Sequence, residues 1–153
     1  MKIEVSNGEI LDKHTILKIK LEKITDSAKV ANLNKEWMIL TPIVQEIVGS
    51  CKDPEIHTAY REMYEVNLRL WNIEDDIRDC ERNNDFGDEF IRLARAVYWT
   101  NDDRNLVKKK IAEKRLEKSG DEAAAEAKKE GKSKEEIYKA REDAIKEKTK
   151  KFR

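Results

Sequence analysis

Glycine and proline are scarce in this chain, five and two among 153 residues. A sandwich, a barrel or a doubly wound sheet needs turn signals at much closer intervals, so the scarcity points to a few long helices. Cysteine is scarcer still. Cys51 and Cys80 are too few and too far apart for a disulfide framework or a thiolate zinc site, and fit ordinary thiols in a reducing compartment. Two histidines, His14 and His57, do not make a multi-histidine metal centre. No apolar run approaches the ~18 residues of a membrane span, and no N-terminal stretch has the form of a signal peptide, so a soluble cytoplasmic protein is expected. The glycines form no cluster that would cradle a phosphate, no G-x-S-x-G is present, and nothing in the sequence calls for a cofactor. Net charge is also lacking: 32 basic groups balance 32 acidic ones, which leaves no global field to draw the chain to nucleic acid or to an anionic membrane.

What is abundant is charge of both signs. Charged residues make up 42% of the chain against roughly 25% in an ordinary globular domain, and hydrophobic residues 39%. The balance is uneven along the sequence. Residues 53–103 carry 6 basic and 14 acidic groups, whereas residues 104–118 carry 7 basic and 2 acidic.

Ser6 followed by Glu9 has the form of a capping box, and Ile10, Leu17, Leu21 and Ile24, with His14 filling the missing step, give one helical stripe. Asp26 reads as the next N-cap, before a helix carrying Leu33, Trp37, Met38 and Leu40, with Pro42 either kinking it or starting a new turn. Asp53-Pro54 opens a third helix to about Arg82, with an inner face of Ile56, Tyr60, Met63, Leu70, Ile73 and Ile77. Asn83 to Gly87 form a short connection, so the next helix, bearing Phe90, Ile91, Ala94, Val97 and Tyr98, folds back as a hairpin partner. Thr100 with Asp103 either caps a fresh segment or the helix runs on to Ile111 and Leu116. From about Ser119 alanine, glutamate and lysine dominate. The expected organisation is an all-α bundle of antiparallel hairpins over residues 1–118, and a charged tail over 119–153, helical from Ser133-x-x-Glu136 or disordered.

The choice of cation is the most informative local feature. Six of the ten arginines lie within 53–103, a span with no lysine, and arginine is the cation of fixed, bidentate pairing. A salt-bridge web across the hairpin is the plain expectation. A second one follows from polar residues at apolar positions: continuing the Tyr60, Met63 stripe places Asn67 and Glu74 inward, and a buried Glu74 needs a partner, for which Arg78 and Arg95 are the candidates. Glu74, Asp75, Arg78, Arg95, Asn101, Asp102 and Arg104, near Trp71, Tyr98 and Trp99, would then form a site for a small anionic or polar ligand, or for a partner chain.

Three segments carry a resemblance. V-S-N-G-E-I-L-D-K-H-T-I-L-K-I-K (Val5 to Lys20), N-L-R-L-W-N-I-E-D-D-I-R (Asn67 to Arg78) and F-I-R-L-A-R-A-V-Y-W-T-N-D-D-R (Phe90 to Arg104) together resemble an uncharacterised bacterial and phage domain-of-unknown-function family of short helical proteins, often encoded near lipopolysaccharide glycosyltransferases. The resemblance spans roughly residues 1–112. It implies a fold unit and a recurring polar set of Asp12, Lys13, Lys20, Glu74, Asp75, Arg78, Arg95, Asn101, Asp102 and Arg104, with no activity to carry over.

Two enzyme templates share single features with the sequence. All-helical nucleotide pyrophosphohydrolases hold Mg²⁺ on paired carboxylates, and Glu62 with Glu65 supplies one pair but no second. Chorismate mutases clamp a dicarboxylate with cations, and Asp12, Lys13 and Lys20 bear a faint similarity to their first helix. Arg104, Lys108, Lys109, Lys110, Lys114, Arg115 and Lys118 form a basic run that would suit phosphates, or the acidic hairpin of a second copy, although a solvated helix end explains it as well. The expected function is therefore an intracellular binding or accessory protein acting through helix surfaces by protein contact or self-association, with a small helical enzyme as the alternative and nucleic-acid binding disfavoured.

Overall fold

The computed structural model describes residues 3–49 and 54–151, without the side chains of residues 115–118 and 151. The Asp53 cap, Ser50, Cys51 and Phe152 lie outside the described residues, as do the side chains of Arg115, Leu116 and Lys118. Five helices follow in order: α1 (Asn7–Lys23), α2 (Ser27–Gly49), α3 (Pro54–Asn83), α4 (Asp88–Lys129) and α5 (Lys134–Lys151). Among the described residues there is no strand, and the chain is an all-α bundle.

Local chemistry sets most of these boundaries. Ser6 caps α1 by accepting the Glu9 amide at 3.3 Å, and Asp26 accepts the Lys29 amide at 2.9 Å ahead of α2. Pro42 neither ends nor restarts α2, which runs through it. The turn after α3 is closed by Asn84 at φ 53°, with the Asp85 amide reaching back to the Cys80 carbonyl at 2.9 Å and the Asn84 amide to Glu81 at 3.1 Å. Gly131, at φ 73°, closes α4 with the same pair of bonds. Both are left-handed C-terminal caps, which return the chain within a few residues and so make α3–α4 and α4–α5 antiparallel hairpins. Ser133 and Glu136 then form a reciprocal capping box at the start of α5.

α1 lies at the centre and packs against α2, α3 and α4. Leu11, Val44, Ile56, Ala59, Met63 and Ile111 form the buried cluster, three from α3 and one from each of the other three helices, with Ile10, Ile47, Val48, Tyr60 and Val107 packed around it. The approach of α1 to α4 is close enough to require Gly8, where a Cβ would stand 2.6 Å from the Lys108 carbonyl oxygen. α4 is unbroken through Thr100, Asp103 and residue 118, so the interruption allowed by Thr100-x-x-Asp103 does not occur. Thr100 is buried and packs as a core residue. α5 folds back along the distal part of α4, and Gly120 admits Ile145 at that contact.

Candidate functional site

The deepest polar feature is a carboxylate. Asp12 on α1 is 2% exposed and carries its charge into the junction of α1, α3 and α4. Arg104 on α4 clamps it with both prongs, Nε to Oδ1 at 2.8 Å and Nη2 to Oδ2 at 2.6 Å. Asn67 on α3 donates Nδ2 to the same Oδ1 at 2.9 Å and to Thr15 Oγ1 at 2.9 Å. A buried charge is tolerated only when its lone pairs are satisfied, and here α3 and α4 supply the donors to a carboxylate on α1. The Asp12 carboxylate, in return, raises the pKa of the Arg104 guanidinium, first by hydrogen bonding and then by its charge, with Glu9 and Glu74 adding to it against a burial penalty. Lys108 closes the outer side, 2.9 Å from Glu9 and 3.8 Å from Asp12. Asn101 accepts from Arg104 Nη1 at 3.3 Å and donates to the Val97 carbonyl at 3.0 Å.

Asp12, Asn101 and Arg104 of the expected set thus come together, with Glu74 close enough to act on Arg104. The rest spread out. Glu74 does not face inward as a buried acid: its side chain is 46% exposed and it pairs along its own helix with Arg78, at 3.2 Å, while Asp75 takes the other prong of Arg78 at 2.9 Å. The stripe that buries Met63, Asn67 and Leu70 is left open to water by residue 74. Arg95 does not meet Glu74. It lies nine residues before Arg104, half a turn round α4 at 100° per residue, so it points away from α1 and covers the ring of Trp99 at 5.1 Å. Asp102 is exposed, Lys20 half-buried, and Lys13 is spent on Glu36 of α2 at 3.3 Å.

The arginine web is partly local. Arg69 spans the hairpin to Asp103 at 2.6 Å, but Arg78, Arg82 and Arg92 pair with acids three or four residues away on their own helices. The basic run of α4 is largely occupied within the molecule: Lys108 with Glu9, Lys110 with Glu62 at 3.1 Å and Lys114 with Glu55 at 2.8 Å. Among the described residues this leaves Lys109, paired only along its own helix with Glu113 at 3.9 Å, as the outward-facing cation of the run. Glu62, half of the expected Mg²⁺ pair, is the partner of Lys110, and among the described residues no three His, Cys, Asp or Glu side chains cluster as a metal site would need.

His14 is a satisfied core histidine. Its Nδ1 is 2.8 Å from Tyr60 Oη, its Nε2 is 3.2 Å from Thr41 Oγ1, and its ring stacks on Trp37 with centroids 4.1 Å apart. Burial, and then the charge of Lys18, push its pKa below the ordinary value.

Sequence reasoning placed Asn67 inward but missed Thr15, Thr100 and the role of Lys108. The available signal was helical phase: Asp12, Thr15 and Ile19 share a face of α1, and Arg104, Lys108 and Ile111 share a face of α4. One further feature stands beside the clamp. Trp71 follows Asn67 by four residues and precedes Glu74 by three and Arg78 by seven, so the four lie along one stripe of α3. Its Nε1 is buried and has no acceptor among the described residues.

No curated protein and no solved structure matches the chain. A family model does, over residues 1–121, which takes in α1 to α3, most of α4 and every residue of the clamp. The chain belongs to the family of unknown function DUF6165.

Proposed function

We propose that the protein is a non-enzymatic binding or accessory protein, acting in the cytoplasm, whose ligand surface is the open end of the α3 stripe beside the Asp12–Arg104 clamp. The observation that carries the reading is the Trp71 indole N–H, taken out of water with no acceptor among the described residues, on the stripe that also presents Glu74 and Arg78. An unmade hydrogen bond of this kind costs about 1–3 kcal/mol, and a ligand acceptor at that point recovers it. The same stripe and the edge of the clamp present cations and anions in balance, Arg78 and the partly exposed Arg104 against Glu74 and Asp75, together with the Asn101 amide. Such a mixture of donors, acceptors and an indole suits a polyhydroxylated ligand better than a highly charged one. This agrees with an accessory role in cell-surface polysaccharide assembly.

The test is an NMR titration of the Trp71 indole N–H with sugar nucleotides, short oligosaccharides and dicarboxylates. A sugar-containing ligand that shifts this resonance, and loses affinity in Trp71→Phe, supports the reading. If no ligand moves it, or if Trp71→Phe binds as well as the wild type, the reading fails.

A further inference from the structure

α2 is apolar on more sides than it buries. Between Trp37 and Val48 it carries Trp37, Met38, Ile39, Leu40, Ile43, Val44, Ile47 and Val48, yet Val44 is the buried one, while Met38 is 74% exposed, Ile39 68% and Ile43 40%. A helix apolar all round is one that neighbours cover on all sides. The open side is ordered. Lys35, Ile39, Pro42 and Glu46 follow one another at four, three and four residues and lie on a single line, with Met38 and Ile43 flanking it. All six are exposed, and neither Lys35 nor Glu46 has an ion pair among the described residues.

We propose that this face of α2 is the interface of a homodimer, in which the α2 helices of two copies pack antiparallel about a twofold axis near residues 40 and 41. This face is self-complementary. An isologous contact pairs each position with its mirror about the axis. Here Ile39 meets Pro42 of the other copy and Lys35 meets Glu46, while Met38 lies along one flank beside its own counterpart and Ile43 along the other, so apolar groups fall at the centre and opposite charges at both rims. A parallel pairing would set lysine on lysine and glutamate on glutamate. A membrane is a poorer occupant, because a bilayer-facing helix gains from a surplus of cations around its apolar face, and this face has one of each sign. The inference is independent of the Trp71 site, which lies on α3.

The test is sedimentation velocity of the full chain from low to high micromolar concentration, with vesicle flotation alongside. The wild type is expected to shift from monomer to dimer mass with concentration. Ile39→Lys, at a solvent-exposed position that leaves the fold intact, abolishes the shift without changing the circular dichroism melt. Lys35→Glu and Glu46→Lys each weaken the dimer roughly five- to tenfold, since each hits two symmetric pairs, and the two combined restore it to within about twofold. Monomer at every concentration overturns the proposal. So does a dimer indifferent to Ile39→Lys, or a charge swap that fails to recover. Flotation of a monomeric wild type with vesicles, lost in Ile39→Lys, also overturns it and makes the face a membrane contact.

Discussion

Removing the Asp12 carboxylate tests the architecture most directly. In Asp12→Ala, Arg104 loses two charge-assisted bonds, at 2.8 and 2.6 Å, and Asn67 loses one of its two at 2.9 Å. Breaking a fully buried ion pair costs about 3–5 kcal/mol, most of it from the charge left behind. The Arg104 side chain is 24% exposed and so recovers some hydration, which brings the expected loss to about 2–4 kcal/mol. At ~2–4 °C per kcal/mol for a chain of this size, the melting temperature should fall by about 10 °C. The double variant Asp12→Leu, Arg104→Met removes both charges at once and should cost less than Asp12→Ala alone, because no orphan charge remains. Urea titration of the wild type, Asp12→Leu, Arg104→Met and the double variant measures the coupling. A loss under about 1 kcal/mol in Asp12→Ala, or a double variant that costs the sum of the singles, would refute the view that the clamp is a satisfied buried pair.

Gly8→Ala should destabilise by roughly 1–3 kcal/mol, since its Cβ would meet the Lys108 backbone at 2.6 Å and neither helix can yield without disturbing the clamp one turn away; a melting temperature equal to wild type would show that α1 and α4 are not in such close approach. His14 supplies a pH signature. Its pKa is lowered on folding from the ordinary 6.5, so its contribution to stability is complete above that value and is lost as the pH falls towards its folded pKa, where the unfolded chain takes up a proton that the folded chain resists. Urea midpoints measured from neutral to mildly acidic pH should therefore fall more steeply in the wild type than in His14→Gln, and parallel curves would exclude the effect.

Much of the local architecture was legible because it rests on interactions within a few residues. Scarce glycine and proline, the stripes at helical spacing and the boxes at Ser6–Glu9 and Ser133–Glu136 each fix a helix or its start with no knowledge of the rest of the chain. The identity of His14 as a core residue was legible for the same reason, from its place on an apolar stripe.

The composition of the polar junction was legible only in part. Sequence periodicity gives the phase of each helix but not where along its length a neighbour stops covering it. Asn67 and Glu74 lie on the same stripe of α3, yet α1 crosses at Asn67 and leaves Glu74 in water. Likewise, the arginine-rich composition announced ion pairs, but Arg95 and Arg104 were told apart only by the half turn that aims one at Asp12 and the other away from it. Helix phase is a short-range property set by 3.6 residues per turn. Which carboxylate is buried, and which cation reaches it across 92 positions of chain, is decided by the crossing of whole helices.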